Sequence, residues 1–364
     1  MTKRTIYIIL SVFLLTLSCQ KEQPNVVDDQ ISFHVYTPLD IATKAEVTDE
    51  SIKETSVTSV YVYESLQTLF RTSGSLLSPE KNTKDEYSGR WLPSGDPYWG
   101  NDTWDVNYQF WGWAYSPAGS TNISVMDAGK SVSVRQPSEY PSKGEYIDYL
   151  LSYIHSEPAL ASKDEHRKSI PLAFEHAMTM VDIYLYRDVS MTDNESASLR
   201  VEIVVNELTL GTIFNVGQLS CNSHAFRSSD QKQNVWSVVS KSGDVKYTLN
   251  NIPNSEIKLR KAAIAEAPKM RFISIPVTNA DMLPNDRYKL KVKYTVTVTN
   301  TLTSESSSNT YTETFDLSAV TSAWQSGHRV KYEVCISSGI ELTGSIVDWI
   351  DVEYVEGVVL PDKK

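Results

Sequence analysis

The feature that most constrains the fold of this chain is an alternation of apolar and polar residues that recurs along most of its length. The clearest example is residues 289–298, where every second side chain is apolar and the others are lysine or threonine. Because successive side chains of a β-strand point to opposite faces, a period of two predicts a strand with one buried face. The same alternation recurs around Ile31, Val60, Val132, Val181, Leu199 and Val330.

Helix-forming patterns are rare by comparison. The one stretch with several good helix formers, residues 257–267, is short. The chain also has 20 tyrosines, many serines and threonines, and turn residues between its short apolar runs. Together these features favour antiparallel β-sandwiches, and the predicted fold class is all-β.

The length of the chain predicts two domains. A chain of 364 residues is long enough to form two cores, because single cores usually stop growing well below that size. The charged stretch 162–168 is a plausible junction. We therefore expect an N-terminal β-sandwich over residues 30–166 and a C-terminal β-sandwich over residues 167–364.

The first residues have the organisation of an export signal. Lys3 and Arg4 precede an apolar run, and Cys19 follows it. About a dozen apolar residues are too few to cross a hydrocarbon layer of ~30 Å, so we expect residues 1–18 to be a removed signal peptide. Cys19 resembles the lipid-attachment cysteine of bacterial lipoproteins; an ordinary signal with a chance cysteine is the alternative.

The mature chain is polar at its start and acidic overall. Residues 19–29 contain too little apolar surface to fold and are expected to form a flexible tether. Removal of residues 1–18 leaves 32 basic and 45 acidic residues, a net charge of −13. Because nucleic-acid binding requires a basic surface that neutralises phosphates, we exclude nucleic acid as a partner.

No catalytic or metal-binding motif stands out. The sequence has no Gly-x-Ser-x-Gly, no His-Glu-x-x-His, no phosphate-binding glycine loop and no Cys-x-x-Cys. The six histidines are scattered, and carboxylates such as Glu145, Asp148, Asp348 and Asp351 are most simply an acidic surface. A glycosidase-type acid pair is the alternative reading of those carboxylates. We expect no enzyme activity, no metal and no cofactor.

Two cysteines remain after lipidation of Cys19, namely Cys221 and Cys335. A compartment outside the cytoplasm permits a disulfide, but separation along the chain says nothing about proximity in space. A bridge between them and two free thiols therefore both stay open.

Five of the eight tryptophans lie between residues 91 and 113. Aromatic faces stack on the C–H groups of sugars, so Trp91, Trp99 and Trp104, which lie among turn residues, are candidate glycan contacts. Trp111 and Trp113 belong to an alternating run of which one face is expected in the core. This cluster supports an alternative function, a carbohydrate-binding lipoprotein of the outer-membrane surface.

Five motifs, in order over most of the mature chain, resemble those of the fimbrillin family. They are Phe110–Pro117 (FWGWAYSP), Asp148–Ser152 (DYLLS), Leu172–Met178 (LAFEHAM), Trp324-x-x-Gly-x-x-x-x-Tyr332 and Gly344–Trp349 (GSIVDW). The resemblance implies two β-sandwich domains with transthyretin-like Greek-key topology. It also implies a structural or adhesive fimbrial subunit, exported as a lipoprotein to the outer membrane of a Gram-negative cell. Residues 211–270 carry no matching motif.

The resemblance further implies assembly by strand exchange. A trypsin-like protease cuts after a basic residue and removes the first strand, and the C-terminal strand of another subunit fills the groove. Here the candidate removable strand is residues 30–37, with Ile31, Phe33 and Val35 on its apolar face. The candidate cleavage residues are Lys44, in a polar segment after that strand, and Arg71, beyond the next predicted strand. An uncut loop lysine is the alternative for Lys44.

The C-terminal end supplies a candidate donor strand, residues 351–364. Its apolar positions are Val352, Tyr354, Val358 and Leu360. A closing strand of its own domain is the alternative, and because Glu356 and Gly357 interrupt the alternation, stalk, tip and anchor positions all stay open. The expected partners are other fimbrial subunits, the outer membrane through the lipid on Cys19, and, at an adhesive tip, host or bacterial surface glycans or proteins.

Overall fold

The structure of the chain is a computed structural model that describes residues 33–36, 59–64, 69–70, 90–91, 107–116, 120–126, 131–140, 146–152, 155–158, 170–221, 236–260, 267–283, 287–321, 323–337 and 339–348. Most of the secondary structure in these residues is β-strand. None of the helices found there has the length and apolar character needed to span a membrane.

In chain order the strands are β1 (Phe33–Tyr36), β2 (Ser59–Glu64), β3 (Leu69–Phe70), β4 (Arg90–Trp91), β5 (Asn107–Ser116), β6 (Ile123–Met126), β7 (Ser131–Arg135), β8 (Asp148–Ser152), β9 (His155–Pro158), β10 (Ile170–His176), β11 (Thr179–Arg187), β12 (Leu199–Ile213), β13 (Val216–Cys221), β14 (Trp236–Ser242), β15 (Val245–Ile252), β16 (Lys258–Leu259), β17 (Met270–Ser274), β18 (Lys289–Asn300), β19 (Ser306–Asp316), β20 (His328–Ile336) and β21 (Ile340–Asp348). A one-turn helix, α1 (Asn279–Met282), and short 3₁₀ turns at Val189–Met191, Glu195–Ala197, Asn254–Glu256 and Leu317–Ala319 connect some of them.

Two of the sheets form the N-terminal sandwich. The first has the strand order β3-β2-β5-β8-β10-β1-β4, with β9 beside β5, and the second has the order β14-β13-β7-β6. Trp113 and Tyr149 from the first sheet share one buried cluster with Val132 and Leu219 from the second. Burial of these apolar side chains between the sheets is the main stabilising contribution to such a sandwich.

The other two sheets form the C-terminal sandwich. One has the order β16-β11-β20-β21, with β17 also beside β11, and the other has the order β15-β12-β18-β19. Their core contains Val181 and Tyr332 from the first of these sheets and Ile203, Leu290 and Val292 from the second. The apolar positions predicted by the alternation in residues 289–294 thus face this core.

The all-β sandwich class predicted from the sequence is confirmed, with one refinement. Most pairings are antiparallel, but β1 pairs with β10, and β11 pairs with both β16 and β20, in parallel. The sequence did not indicate these pairings, because alternation reports which face of a strand is buried and not the direction of its neighbour.

Strand pairing does not follow the division at residue 167. β10 pairs with β8, and β13 pairs with β7, so the N-terminal sandwich includes strands from beyond that position.

The helix formers in residues 257–267 do not produce a helix throughout that stretch, because Lys258 and Leu259 form β16 beside the end of β11. In that place tertiary pairing overrides a weak local preference.

The two sandwiches meet at a short buried junction. Ala177 and Met178, which lie between β10 and β11, are 1% and 0% exposed. The N–H of Ala177 donates to the carbonyl of Tyr149 at 2.7 Å, and the N–H of Gly327 donates to the carbonyl of Met178 at 2.9 Å. With these backbone groups paired, the junction is part of the packed structure rather than a loose linker.

A buried glutamine completes the backbone pairing of the N-terminal sandwich. The Nε2 of Gln136 donates to the carbonyl of Ile147 at 2.8 Å, and the N–H of Ile147 donates to the Oε1 of Gln136 at 2.9 Å. The Nδ2 of Asn215 donates in turn to the carbonyl of Gln136 at 3.0 Å. The amide of Gln136 therefore takes the place of a neighbouring strand for Ile147.

The motif around Trp324 has a structural explanation in the core of the C-terminal sandwich. The indole N–H of Trp324 donates to the hydroxyl of Tyr332 at 2.8 Å, and the hydroxyls of Tyr332 and Thr321 lie 2.5 Å apart. Burial raises the pKa of Tyr332 to about 12, so the hydroxyl stays neutral at physiological pH. Gly327 has a φ of +70°, a conformation that favours glycine.

Gly344 is required by close packing against this motif. It lies opposite Tyr332 in the β20–β21 ladder. A Cβ atom at this position would lie 2.6 Å from the Cγ1 of Val320 and 2.9 Å from the Cγ2 of Thr321. These separations are shorter than carbon atoms tolerate, so a side chain here would push β21 away from the core.

Replacement of Gln136 by alanine is expected to destabilise the protein, because the N–H and the carbonyl of Ile147 lose their partners. Each buried group left unpaired costs about 1–3 kcal/mol. Urea unfolding followed by tryptophan fluorescence measures the change. Asn309→Ala, which removes an exposed amide from β19, should change stability by less than about 0.5 kcal/mol. Equal stability of the two variants would show that the Gln136 amide is not needed for pairing.

Gly344→Ala is expected to destabilise the chain by about 1–3 kcal/mol through overpacking. Gly339→Ala is the matched control, because nothing lies within 4 Å of a Cβ atom at that position. The control should be neutral or slightly stabilising, since alanine reduces the entropy of the unfolded chain. Thermal unfolding of the two variants side by side tests this, and a Gly344→Ala variant as stable as the control would contradict it.

Candidate functional site

The candidate removable strand lies inside a sheet. β1 runs parallel to β10, with Phe33 opposite Ile170 and Tyr36 opposite Ala173. On its other side β1 is antiparallel to β4, with Phe33 opposite Trp91. β1 is thus a segment of four residues, brought from the start of the chain, that fills a place between two strands from later in the sequence.

The sequence explains why these residues form a strand. Phenylalanine, valine and tyrosine are all favoured in strands, and they occupy three of the four positions of β1. Phe33 and Val35 share one face of the strand because of the period of two. Ile31, the third apolar position predicted for this face, lies outside the described residues.

β10 divides its pairing between two neighbours. Its first four residues, Ile170 to Ala173, pair with β1, and its last three, Phe174 to His176, pair with β8. Pro171 lies in the half that pairs with β1, opposite His34. Proline has no N–H to donate to a ladder and is usually confined to edge strands or strand starts. Residues 170–173 therefore have the composition of a strand at a sheet edge, and β1 covers them.

A contact between two titratable side chains joins the other half of β10 to β8. The Nδ1 of His176 lies 2.9 Å from the Oδ2 of Asp148, which is in β8. Both side chains are largely buried, with 7% and 16% exposure. Asp148, which the sequence suggested as a surface acid, therefore joins β8 to β10. Loss of β1 would leave this contact in place.

Trp91 is the one candidate glycan contact within the described residues. The structure places it in β4, beside β1, rather than in a turn. The sequence did not reveal this strand, because two residues are too few to show an alternation. Trp91 thus lies opposite Phe33 in the sheet, and its role as a glycan contact stays a prediction.

The remaining predicted site residues lie outside the described part of the chain. They are Cys19, Lys44, Arg71, Trp99, Trp104, Val352, Tyr354, Val358 and Leu360.

The candidate donor segment, residues 351–364, begins after two further residues beyond the end of β21. β21 pairs with β20, and its last residue, Asp348, lies opposite His328. Leu342 and Ile346 of β21 pack against the core of the C-terminal sandwich. β21 therefore closes its own sandwich before the candidate donor segment begins.

The structure also describes Cys335 and the side chains that could bind a metal ion. Cys335 is a buried free thiol, so it forms no disulfide with Cys221, and burial raises the pKa of the Cys335 thiol. In the parts of the chain that the structure covers, no three histidine, cysteine or acidic side chains are grouped so that they could hold a metal ion.

Comparisons with solved structures give matches at low sequence identity. A candidate cell adhesion protein from Bacteroides uniformis ATCC 8492 is 12% identical, with a TM-score of 0.46 over 89% of this chain and 99% of that chain. One from Bacteroides ovatus ATCC 8483 is 11% identical, with a TM-score of 0.41 over 89% and 98%. A fimbrial anchor protein from Porphyromonas gingivalis is 10% identical, with a TM-score of 0.34 over 88% and 97%.

No curated protein matches the chain in a sequence comparison. The model of the fimbrillin-like family, however, matches residues 43–349, which is most of the chain. This match confirms the resemblance found in the five sequence motifs. The chain belongs to the fimbrillin-like family.

Proposed function

We propose that this protein is a structural or adhesive subunit of a cell-surface fimbria that assembles by β-strand exchange. Membership of the fimbrillin-like family supports the fimbrial part of the proposal. The observation that carries the exchange part is the ladder between β1 and β10, in which a four-residue strand covers the proline-containing half of β10. Proteolytic removal of β1 converts that half into an open edge.

An open edge at residues 170–173 needs a new partner. The backbone groups of β10 that β1 satisfies would otherwise have no partner in the sheet. A strand from another subunit, with apolar residues at the positions of Phe33 and Val35, restores the ladder with the same apolar pattern. Each hydrogen bond in the original ladder contributes about 1 kcal/mol net. Because that ladder is only four residues long, a longer donor strand that forms more hydrogen bonds replaces it favourably.

The C-terminal segment suits the role of donor. Since β21 already closes its own sandwich, residues 351–364 are not required for that purpose. Val352 and Tyr354, and later Val358 and Leu360, provide apolar side chains at alternate positions. The subunit reaches the cell surface as an outer-membrane lipoprotein in this proposal, with the lipid on Cys19.

Cleavage after Lys44 is expected to start assembly. Limited trypsin treatment of lipid-free protein should give one species that begins at Ala45, and this species should form a ladder of oligomers on a gel. Lys44→Gln should abolish the ladder, whereas Arg71→Gln, the matched control, should not. On native cells, mass spectrometry of the mature N-terminus should find a lipidated Cys19 in the precursor and Ala45 in the assembled form. A stable uncut monomer would count against strand exchange.

The donor role of the C-terminus can be tested separately with a peptide of residues 349–364. At 0.5 M NaCl, where exposed charges are screened, this peptide should raise the unfolding temperature of a cut chain that ends at Asp348. The uncut chain, whose slot is filled by β1, should show no such shift. A peptide with Val352→Ser and Tyr354→Ser should also have no effect on the cut chain. Equal stabilisation by both peptides would show that the apolar positions do not enter the slot.

A further inference from the structure

A buried carboxylate lies on the outer face of the C-terminal sandwich, where the alternation predicts a solvent-exposed residue. Asp182 of β11 has no exposed side-chain surface. The Nε of Arg271 donates to its Oδ1 at 2.8 Å, and the Nε of Arg329 donates to its Oδ2 at 2.6 Å. The hydroxyl of Tyr184 donates to Oδ2 at 3.2 Å. The carboxylate is thus fully satisfied by its neighbours.

A third cation lies beside this carboxylate. Lys331 of β20 is the direct cross-strand neighbour of Asp182 and is partly buried. Within the described residues the ammonium group of Lys331 has no hydrogen bond or ion pair. Burial, and secondly the charge of Arg329, lower the pKa of Lys331. We call Asp182, Arg271, Arg329 and Lys331 the arginine cluster.

The arginine cluster carries more positive charge than its own residues balance. Three cations surround one carboxylate, in a chain whose formal net charge is −11. The next acid along β20, Glu333, already pairs with Arg260 at 3.4 Å. Arg271 has 42% of its side chain exposed, so an anion can approach the cluster from solvent. The cluster therefore favours an acidic partner over a neutral one.

The end of β21 lies next to the arginine cluster. Val347 of β21 lies opposite Arg329, and Ser345 lies opposite Lys331. Val347 is 38% exposed on the same outer face. β21 and β11 are two strand spacings apart, roughly 10 Å, and an extended residue covers roughly 3.3 Å. A segment of three to five extended residues after Asp348 is therefore long enough to reach the cluster.

The residues at that distance are acidic. Asp351 and Glu353 are the third and fifth residues after Asp348. In an extended segment they face one side, while Val352 and Tyr354 face the other. The same short segment thus has an acidic side and an apolar side, and the apolar side is the candidate donor surface.

We propose that the acidic side of residues 349–356 docks on the arginine cluster of its own chain. Asp351 and Glu353 supply a carboxylate to Lys331, which has none, and a second one to the exposed side of Arg271, which already binds Asp182. The covalent connection gives the segment a high effective concentration at the cluster. Docking itself does not depend on strand exchange. Its consequence, that the donor segment is held on its own sandwich until another subunit offers an open edge, rests on the function proposed above.

Binding of the peptide 349–364 to an uncut chain that ends at Asp348 tests this proposal. The uncut chain keeps β1, so the exchange slot is filled and only the cluster is available. At 50 mM NaCl the peptide should bind, and its affinity should fall at least tenfold at 0.5 M NaCl because the contact is electrostatic. The uncut full-length chain, whose own segment occupies the cluster, should bind the peptide at least tenfold more weakly.

Matched variants identify the residues that form the contact between the peptide and the cluster. Lys331→Gln in the shortened chain should weaken binding several-fold, whereas Lys293→Gln, the same change at an exposed position of β18, should leave it unchanged. A peptide with Asp351→Asn and Glu353→Gln should lose binding, and one with Val352→Ser and Tyr354→Ser should retain it. Thermal unfolding verifies that each chain variant is folded.

Three results would overturn the proposal. They are equal binding by the Lys331→Gln and Lys293→Gln chains, equal binding by the neutralised peptide, and equal binding by the full-length and shortened chains. The last would show that the cluster accepts acidic segments only from other molecules. Strand exchange is judged independently, because the neutralised peptide should still stabilise the cut chain at 0.5 M NaCl if the slot accepts a donor.

Discussion

The rest of the structure depends on the requirement that the backbone groups of every buried strand find a hydrogen-bond partner. β10 shows this most directly, because β8 pairs with its second half and β1 pairs with its first half. Ile147 meets the same requirement by other means, with the side-chain amide of Gln136 in place of a strand. The Gln136 amide is part of the same sandwich, whereas β1 is a short segment from the start of the chain, and its removal is the basis of the proposed exchange. For the proposed exchange, that difference favours residues 170–173 over the surroundings of Ile147 as the place for a partner.

The alternation of residues allowed the buried faces of strands to be predicted, but not their neighbours. In β18, Leu290, Val292 and Tyr294 all reach the core as the pattern indicates. The pattern gave no reason to place β10 or β13 in the N-terminal sandwich, because a face can be buried against many sheets. Pairing joins residues far apart in sequence, and a single sequence carries no local signal for it. The two-residue strand that holds Trp91 was missed for a related reason, since it is too short to have a period.

For the candidate site too, the sequence predicted which residues form a strand but not which strands lie beside it. Phe33 and Val35 were identified from their alternation, and the structure places both in β1. The significance of Pro171 could not be predicted, because it depends on which half of β10 pairs with β1.

Asp182 departs from the alternating pattern in another way. Alternation assigns it to the outer face correctly, yet it is fully buried, because Arg271 and Arg329 on the two flanking strands cover it. Only the register of three strands brings these charges together.

The proposed acceptor and donor ends of the subunit are connected by a short path of paired strands. β10 borders the slot and continues through Ala177 and Met178 into β11. β11 pairs in parallel with β20 over eight positions from Met180 to Arg187, and β20 pairs with β21 over its whole length. The proposed donor segment, residues 351–364, follows β21 after two intervening residues. Tension along a fibre would thus load these ladders along their length, so that many hydrogen bonds share it.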